Sequence, residues 1–275
     1  ISNRLPVQLQ ISNGTINAIP SVGGLATGMK SVHSGSESLW IGWSGLTDED
    51  TPEELEGAID QALADHGCAK VKLNAQEIDG FYFGFSNRTV WPLFHYFLEY
   101  SEFELDFWNT YKAVNQKFAD AIIEQSDDDD TIWVHDYQLM LVPQMVREKR
   151  PETTIGFFLH IPFPSYEIFR TLPWREEVLE GLLGSDLIGF HTYDYERHFL
   201  SSVRRLLGLD VSFNEIYLDN RVIKVDSFPM GIDCKKFGMA QSPMMPRGKK
   251  EKVNLKKEWT ATKVALIQLR TRPPT

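Results

Sequence analysis

The chain has 275 residues, 42% of them hydrophobic, with 28 basic against 38 acidic side chains for a net charge of -10. That length builds one large core or two modest domains, since domains run to about 100 to 200 residues, and the acidic balance argues against a general role on nucleic acid or an anionic membrane. With two cysteines and no histidines at ligand spacing, neither a disulfide framework nor a zinc site is expected. No run of about 18 apolar residues suggests a membrane span, and the opening at Ile1 reads as clipped rather than as a signal peptide. Together these point to a cytoplasmic protein. A phosphate-bearing ligand would then be held by a few local cationic or backbone N–H groups.

Ile1-Ser-Asn-Arg-Leu-Pro reads as the end of a strand, followed by a loop or hairpin through Asn13-Gly14, a dipeptide suited to positive φ. Gly23 and Gly24 then precede good helix formers, and a glycine turn feeding a helix N-terminus leaves N–H groups free to receive a phosphate. Taken alone, the pair reads first as an ordinary tight turn before a packed helix, since a short glycine pair is a weak signal. A strand and turn over Leu39–Gly45 lead to an acidic amphipathic helix from Asp48 to His66, with Leu55, Ile59 and Leu63 on one face. Val71-Lys-Leu is another short strand. The aromatic run from Phe81 to Tyr96 is mostly core by volume, although Tyr82, in a loop-like context beside Gly84 and Ser86-Asn87, has a phenol that needs a partner.

Glu104–Gln125 is predicted helical. The Asp127–Asp130 run is a solvated loop rather than a metal site, because consecutive carboxylates do not converge. From Thr131 the pattern changes to short apolar runs with polar ends: Thr-Ile-Trp-Val-His-Asp136, Ile-Gly-Phe-Phe-Leu-His160 and Asp186-Leu-Ile-Gly-Phe-His191, separated by helical segments. This is the βαβ pattern, in which parallel strands buried on both faces read as continuous apolar runs and share a carboxyl edge where ligands bind. Asp136 and His160 should therefore sit side by side. Asp136 also suits the N-cap of a Tyr137 helix, and Ile-Pro-Phe-Pro stiffens the exit from His160. Helices over Trp174–Leu183 and Thr192–Leu207 and a strand and turn over Arg221–Asp233 follow. Met239–Lys252 reads as a linker, and Lys263–Leu269 as a strand of something larger.

Ser-Asn-Arg at 2–4, Gly-Gly-Leu-Ala at 23–26, Gly-Trp-Ser-Gly at 42–45, Phe-Ser-Asn with Trp-Pro-Leu-Phe-His-Tyr at 85–96, Trp-Val-His-Asp-Tyr at 133–137 and Gly-Phe-Phe-Leu-His-Ile-Pro-Phe-Pro at 156–164 are carried in this order. With Asp-Leu-Ile-Gly-Phe-His-Thr at 186–192 and Phe-Pro-Met-Gly-Ile-Asp at 228–233, the set resembles the trehalose-6-phosphate synthase family. The resemblance implies an α/β fold, a Rossmann-like parallel sheet with helices on both faces, as the N-terminal half of a GT-B glycosyltransferase. It implies residues 1–234 as the acceptor-binding domain and 235–275 as a linker and fragment of the donor-binding domain. The implied reaction moves glucose from UDP-glucose to glucose-6-phosphate with retention, without metal or cofactor.

Residue by residue, the resemblance implies that Arg4 binds the acceptor phosphate, Tyr82 and Asp136 hold the acceptor, and Trp43 and Trp91 line its pocket. Gly23 and Gly24 would face the donor diphosphate. His160 would touch the transferred glucose and orient it, so that His160 and Asp136 are the catalytic positions and no nucleophile is assigned. The family's Arg-Leu-Asp-Tyr-x-Lys-Gly and Asp-Gly-Met-Asn-Leu-Val-x-x-Glu motifs do not occur here. The rival expectations are a related transferase making glucosylglycerol phosphate or a pseudo-disaccharide phosphate, and an inactive sugar-phosphate-binding subunit. A homo-oligomer or a trehalose-6-phosphate phosphatase is the expected protein partner.

Overall fold

The computed structural model describes residues 1–12, 15–21, 25–26, 28–29, 38–49 and 51–229. The expected turn at Gly23 and Gly24 and everything from residue 230, including the linker and the strand at Lys263, lie outside those residues. β1 (Val7–Ser12) and β2 (Thr15–Pro20) form the antiparallel hairpin expected around Asn13-Gly14. β3 (Trp40–Gly42) pairs in parallel with β4 (Cys68–Lys70). The fourth strand thus lies just ahead of the expected Val71–Leu73, because Cys68, Ala69 and Lys70 are the residues in register with Trp40, Ile41 and Gly42. Between them the acidic segment turns helical later than its periodicity suggests. Pro52 caps a 3-10 turn, Glu53–Leu55, which runs into α1 (Glu56–Ala64) with Ile59 and Leu63 buried.

The aromatic run is helical as far as Phe94, which corrects the loop expected around Tyr82. Asn74 caps α2 (Ala75–Ile78) through a reciprocal capping box with Glu77; a π-helix (Asp79–Val90) and α3 (Trp91–Phe94) continue it. The cause lies in the partner helix, α4 (Leu105–Gln125). A Cβ on Gly84 would fall 2.6 Å from the Phe107 ring and one on Gly80 2.7 Å from Thr110. These glycines admit the partner helix's side chains at close range while Phe81 and Phe85 bury completely against Tyr111, Phe118 and Trp108. Wide π turns are rare and gather at functional sites, and Tyr82 and Asn87 sit on this one.

The second half alternates as predicted: β5 (Thr131–His135), α5 (Val142–Lys149), β6 (Thr154–Phe158), α6 (Tyr166–Phe169), α7 (Arg175–Leu182), β7 (Leu187–Phe190) and α8 (Tyr193–Leu206). Pro143 causes no kink because α5 begins beside it. A small hairpin that the sequence reading missed, β8 (Asp210–Ser212) and β9 (Glu215–Tyr217), pairs antiparallel with β10 (Val222–Ser227).

Residues 1–5 join the two strand groups into one sheet. On one side Ser2 N–H donates to Ile41 O at 3.2 Å and Trp43 N–H to Asn3 O at 2.9 Å; on the other His135 N–H donates to Ile1 O at 2.9 Å. A Cβ on Gly42 would lie 2.8 Å from Ser2 O, so the close approach of β3 requires glycine there. The order across the sheet is therefore β4, β3, residues 1–5, β5, β6, β7, β10, β9, β8. The chain winds outward in one direction from residues 1–5 and in the other from β5. Ile132, Val134, Ile155, Phe157, Ile188 and Phe190 face the main core under α4, α5, α7 and α8. Trp133, Phe158 and Leu187 alternate to the opposite face, and α1 packs on that side against Trp40 and Cys68.

Candidate active site

The reversal of winding between residues 1–5 and β5 is a topological switch point, and the crevice outside the strand ends there is where open α/β sheets bind ligands. Arg4 lies near the end of the strand formed by residues 1–5, bridged to Trp43; Asp136 comes directly after β5, His160 two residues after β6 and His191 directly after β7. His160 N–H donates to Asp136 Oδ1 at 3.2 Å, and the His160 and His191 rings stand 5.4 Å apart. The strand termini therefore converge as the βαβ pattern predicts.

Asp136 is the most constrained residue of the group. Its backbone sits at φ 76 and ψ 170, a region occupied almost only by glycine and costing of order 1–3 kcal/mol for other residues. Oδ1 also accepts from Tyr137 N–H at 3.0 Å, as the expected N-cap. Among the described residues Oδ2 has no hydrogen-bond partner. Burial pushes the carboxyl up to about 6, and the two N–H donors only partly offset it. No cation pairs with it among the described residues.

Arg4 has the opposite deficiency. The guanidinium is exposed, lies 4.7 Å from the Trp43 ring and 5.7 Å from the Tyr82 ring, and makes no hydrogen bond or ion pair within the described residues. Trp43 is buried, with its Nε1 donating to Leu46 O at 2.7 Å. It is a rigid platform for the cation, worth about 0.5–1 kcal/mol at an exposed site, more than an open wall of a pocket. The Tyr82 hydroxyl has no protein partner among the described residues. Trp91 is 44% exposed, with its ring 5.5 Å from that of Tyr137 and 4.1 Å from that of His95.

The histidines are neutral. Burial, and then His191, depress His160 to about 3, and burial lowers His191 as well. A neutral imidazole orients by hydrogen bonding and carries no charge to a substrate. Gly23 and Gly24 cannot be placed relative to this group, lying outside the described residues. Three further residues join it that the sequence reading did not single out. Tyr137 donates its hydroxyl to Asn87 Oδ1 at 3.0 Å, tying the π-helix to the turn after β5, and His135 Nδ1 lies 3.1 Å from His160 Nε2. The signal for His135 was the β5 alternation, which puts it on the face of Trp133; its meeting with His160 required the register of β5 on β6.

Among the described residues, a guanidinium without an anion, a carboxylate oxygen and a phenol without partners, and neutral imidazoles at one switch point make a site suited to a small ligand carrying both phosphate and hydroxyl groups. With the doubly wound sheet, this defines a Rossmann-like α/β domain with a ligand crevice at its switch point. The chain belongs to glycosyltransferase family 20, whose model matches residues 1–269. A bifunctional trehalose-6-phosphate synthase/phosphatase from Thermoproteus tenax is 47% identical over 248 residues, covering 86% of this chain and 33% of its own length. An alpha,alpha-trehalose-phosphate synthase (UDP-forming) from Candida albicans is 43% identical over 265 residues, 93% of this chain and 55% of its own. The solved structure of "Trehalose-6-phosphate from E. coli bound with UDP-2-fluoro glucose" superposes with a TM-score of 0.70 at 32% identity, over 89% of this chain and 52% of that one. The chain thus spans between a third and about half the length of these relatives.

Proposed function

We propose that residues 1–234 form the acceptor-side domain of a retaining glycosyltransferase that moves glucose from UDP-glucose to glucose-6-phosphate, giving trehalose-6-phosphate. Residues 235–275 then begin the crossing to the donor-side domain. The observation that carries this reading is the pairing of absences at the switch point: Arg4 has no anion, and Asp136 Oδ2 has no donor, among the described residues. A phosphate dianion supplies the first and a sugar hydroxyl the second. The Candida albicans relative, a trehalose-phosphate synthase named as UDP-forming, agrees with that ligand class.

In the proposed reaction the donor's anomeric carbon–phosphate oxygen bond breaks on the same face on which the acceptor hydroxyl bonds to that carbon, and the departing phosphate oxygen takes the hydroxyl proton. This half of the enzyme then contributes position and electrostatics. Arg4, braced by Trp43 and Tyr82, anchors the phosphate; Asp136 and Tyr82 hold hydroxyls; Trp91 offers an apolar face to the sugar ring. Gly23 and Gly24 are assigned to the donor diphosphate, and His160 to the transferred hexose. The fused relative from Thermoproteus tenax supports a trehalose-6-phosphate phosphatase as the partner consuming the product.

Titration calorimetry of the chain with glucose-6-phosphate, glucose and inorganic phosphate tests the acceptor assignment. Glucose-6-phosphate is expected to bind at least tenfold more tightly than either component, roughly the 1.4 kcal/mol that one additional charge-assisted contact supplies. Equal binding of inorganic phosphate would reduce the site to an anion trap and reject the reading.

A further inference from the structure

His135 is 3% exposed, and its Nδ1 meets Nε2 of His160 at 3.1 Å. Two nitrogens at that distance share one proton, since two lone pairs repel and two N–H groups clash. Both rings are held well below the ordinary imidazole range by burial, His135 also by its neighbour His160, so both are neutral. Each therefore carries one N–H, and the direction of this bond fixes the tautomer of both.

The surroundings choose the direction. Were His160 the donor, neutral His135 would carry its hydrogen on Nε2, and no acceptor for that N–H exists among the described residues. At 3% exposure His135 has little solvent to replace that missing acceptor. With His135 donating from Nδ1, its Nε2 bears only a lone pair, and His160 is left with its hydrogen on Nδ1. That nitrogen likewise has no partner among the described residues, but it belongs to the less buried ring of the two, where a ligand or solvent can accept from it. Rings on both sides hold the pair in place: Trp133 lies 4.6 Å from His135 and Phe158 4.7 Å from His160.

We propose that His135 is a positioning residue: it donates from Nδ1 to Nε2 of His160, so that His160 presents an Nδ1–H donor to an oxygen of the transferred hexose. The inference rests on the transferase reading for the identity of the ligand, and on the geometry alone for the tautomer.

The test has two arms. Imidazole nitrogen NMR of the chain, with signals assigned by His135→Leu and His160→Gln, is expected to show both histidines as Nδ1–H tautomers near neutral pH. His135→Leu should shift His160 toward the mixture of tautomers seen in free imidazole, and His135→Asn, whose amide can donate from a similar position, should restore the Nδ1–H form. An Nε2–H tautomer for His160 in the wild type, or a His160 spectrum indifferent to His135→Leu, overturns the proposal. In the full-length protein, initial rates should show KM for the nucleotide sugar rising about tenfold in His135→Leu, the scale of one lost hydrogen bond. His135→Asn should recover most of it, and KM for glucose-6-phosphate should stay within about twofold of wild type in both variants. Equal rises in both KM values would mean a merely structural residue and overturn it. If glucose-6-phosphate fails to bind the wild-type chain while the tautomers appear as expected, the transferase reading falls and the histidine pairing stands.

Discussion

The two edges of the sheet use the same residue types to opposite ends. At the amino edge of β7, Asp186 Oδ2 accepts from Arg147 Nη2 and from Ile155 N–H, each at 2.8 Å, and Arg221 Nη1 lies 3.7 Å from Oδ1. Both arginines then spend further N–H groups on carbonyls: Arg147 on Gly184 and Pro151, Arg221 on Leu183 and Ser185. At the carboxyl edge, Asp136 has no cation and Arg4 no anion among the described residues. A fold that ties charge so thoroughly at one edge and, among the described residues, leaves it untied at the other separates the charges that hold the fold together from those open to the proposed ligand. The strained backbone at Asp136 belongs with the second edge, since strain gathers where function over-determines a conformation.

The comparison breaks most visibly at the amino edge. Asp186→Ala leaves two nearly buried guanidiniums facing each other, and removing one partner of such a group costs about 3–5 kcal/mol. Urea unfolding should therefore show a large loss of stability, with any residual folded fraction still binding glucose-6-phosphate. Arg4→Ala should do the reverse. The loss of a charge-assisted phosphate contact, about 1.5–3 kcal/mol, weakens glucose-6-phosphate roughly 10- to 150-fold, while this exposed residue leaves the unfolding midpoint nearly unmoved. Comparable stability losses in the two variants would erase the distinction between the edges.

Much of this division was legible in the sequence. The apolar runs ending at Asp136, His160 and His191 gave the parallel strands and their shared edge, because burial on both faces leaves a continuous hydrophobic signature. The Arg4, Tyr82 and Trp43 cluster came from the family resemblance; the geometry then supplied the cation-on-ring arrangement that motif matching does not contain. Tyr82 was misread as lying in a loop because Gly80, Gly84 and Asn87 weaken a helix locally, and only the packing of Phe107 and Thr110 against those glycines explains why helix persists. The β8–β9 hairpin was missed because each strand is three residues long and its pairing with β10 is tertiary. His135 escaped notice for the same reason: what matters about it is a cross-strand partner.

A pair of variants at Asp136 sharpens the strain argument with a smaller effect. Both Asp136→Gly and Asp136→Ala remove the carboxylate and its bonds to Tyr137 and His160, so their difference isolates the backbone. Glycine tolerates φ 76 with ψ 170, and Asp136→Gly should be more stable than Asp136→Ala by roughly 2 kcal/mol. Equal unfolding free energies would show that the turn relaxes without cost and that no strain is stored at the carboxyl edge.

The smallest expected effect is the pH dependence of binding, and its sign separates two consequences of one buried carboxyl. Asp136 titrates at about 6 in the fold against 3.8 for an ordinary aspartate. Between those values the unfolded chain has released the proton and the folded chain has kept it, so the Asp136 contribution to stability falls as pH rises through that window and then levels. Affinity for a sugar hydroxyl moves the other way, because the carboxylate is the better acceptor and forms only as pH passes about 6. The ligand's own phosphate ionises in the same range, so wild type is compared with Asp136→Asn at each pH. The ratio of their affinities for glucose-6-phosphate should grow between pH 5 and 7 by no more than about tenfold, the change in ionised fraction across one unit on either side of the midpoint. His160, already neutral throughout, contributes nothing to that ratio. A flat ratio accompanied by the expected fall in stability would mean that Asp136 ionises without touching the sugar, which would leave the acceptor to Arg4, Tyr82 and Trp91.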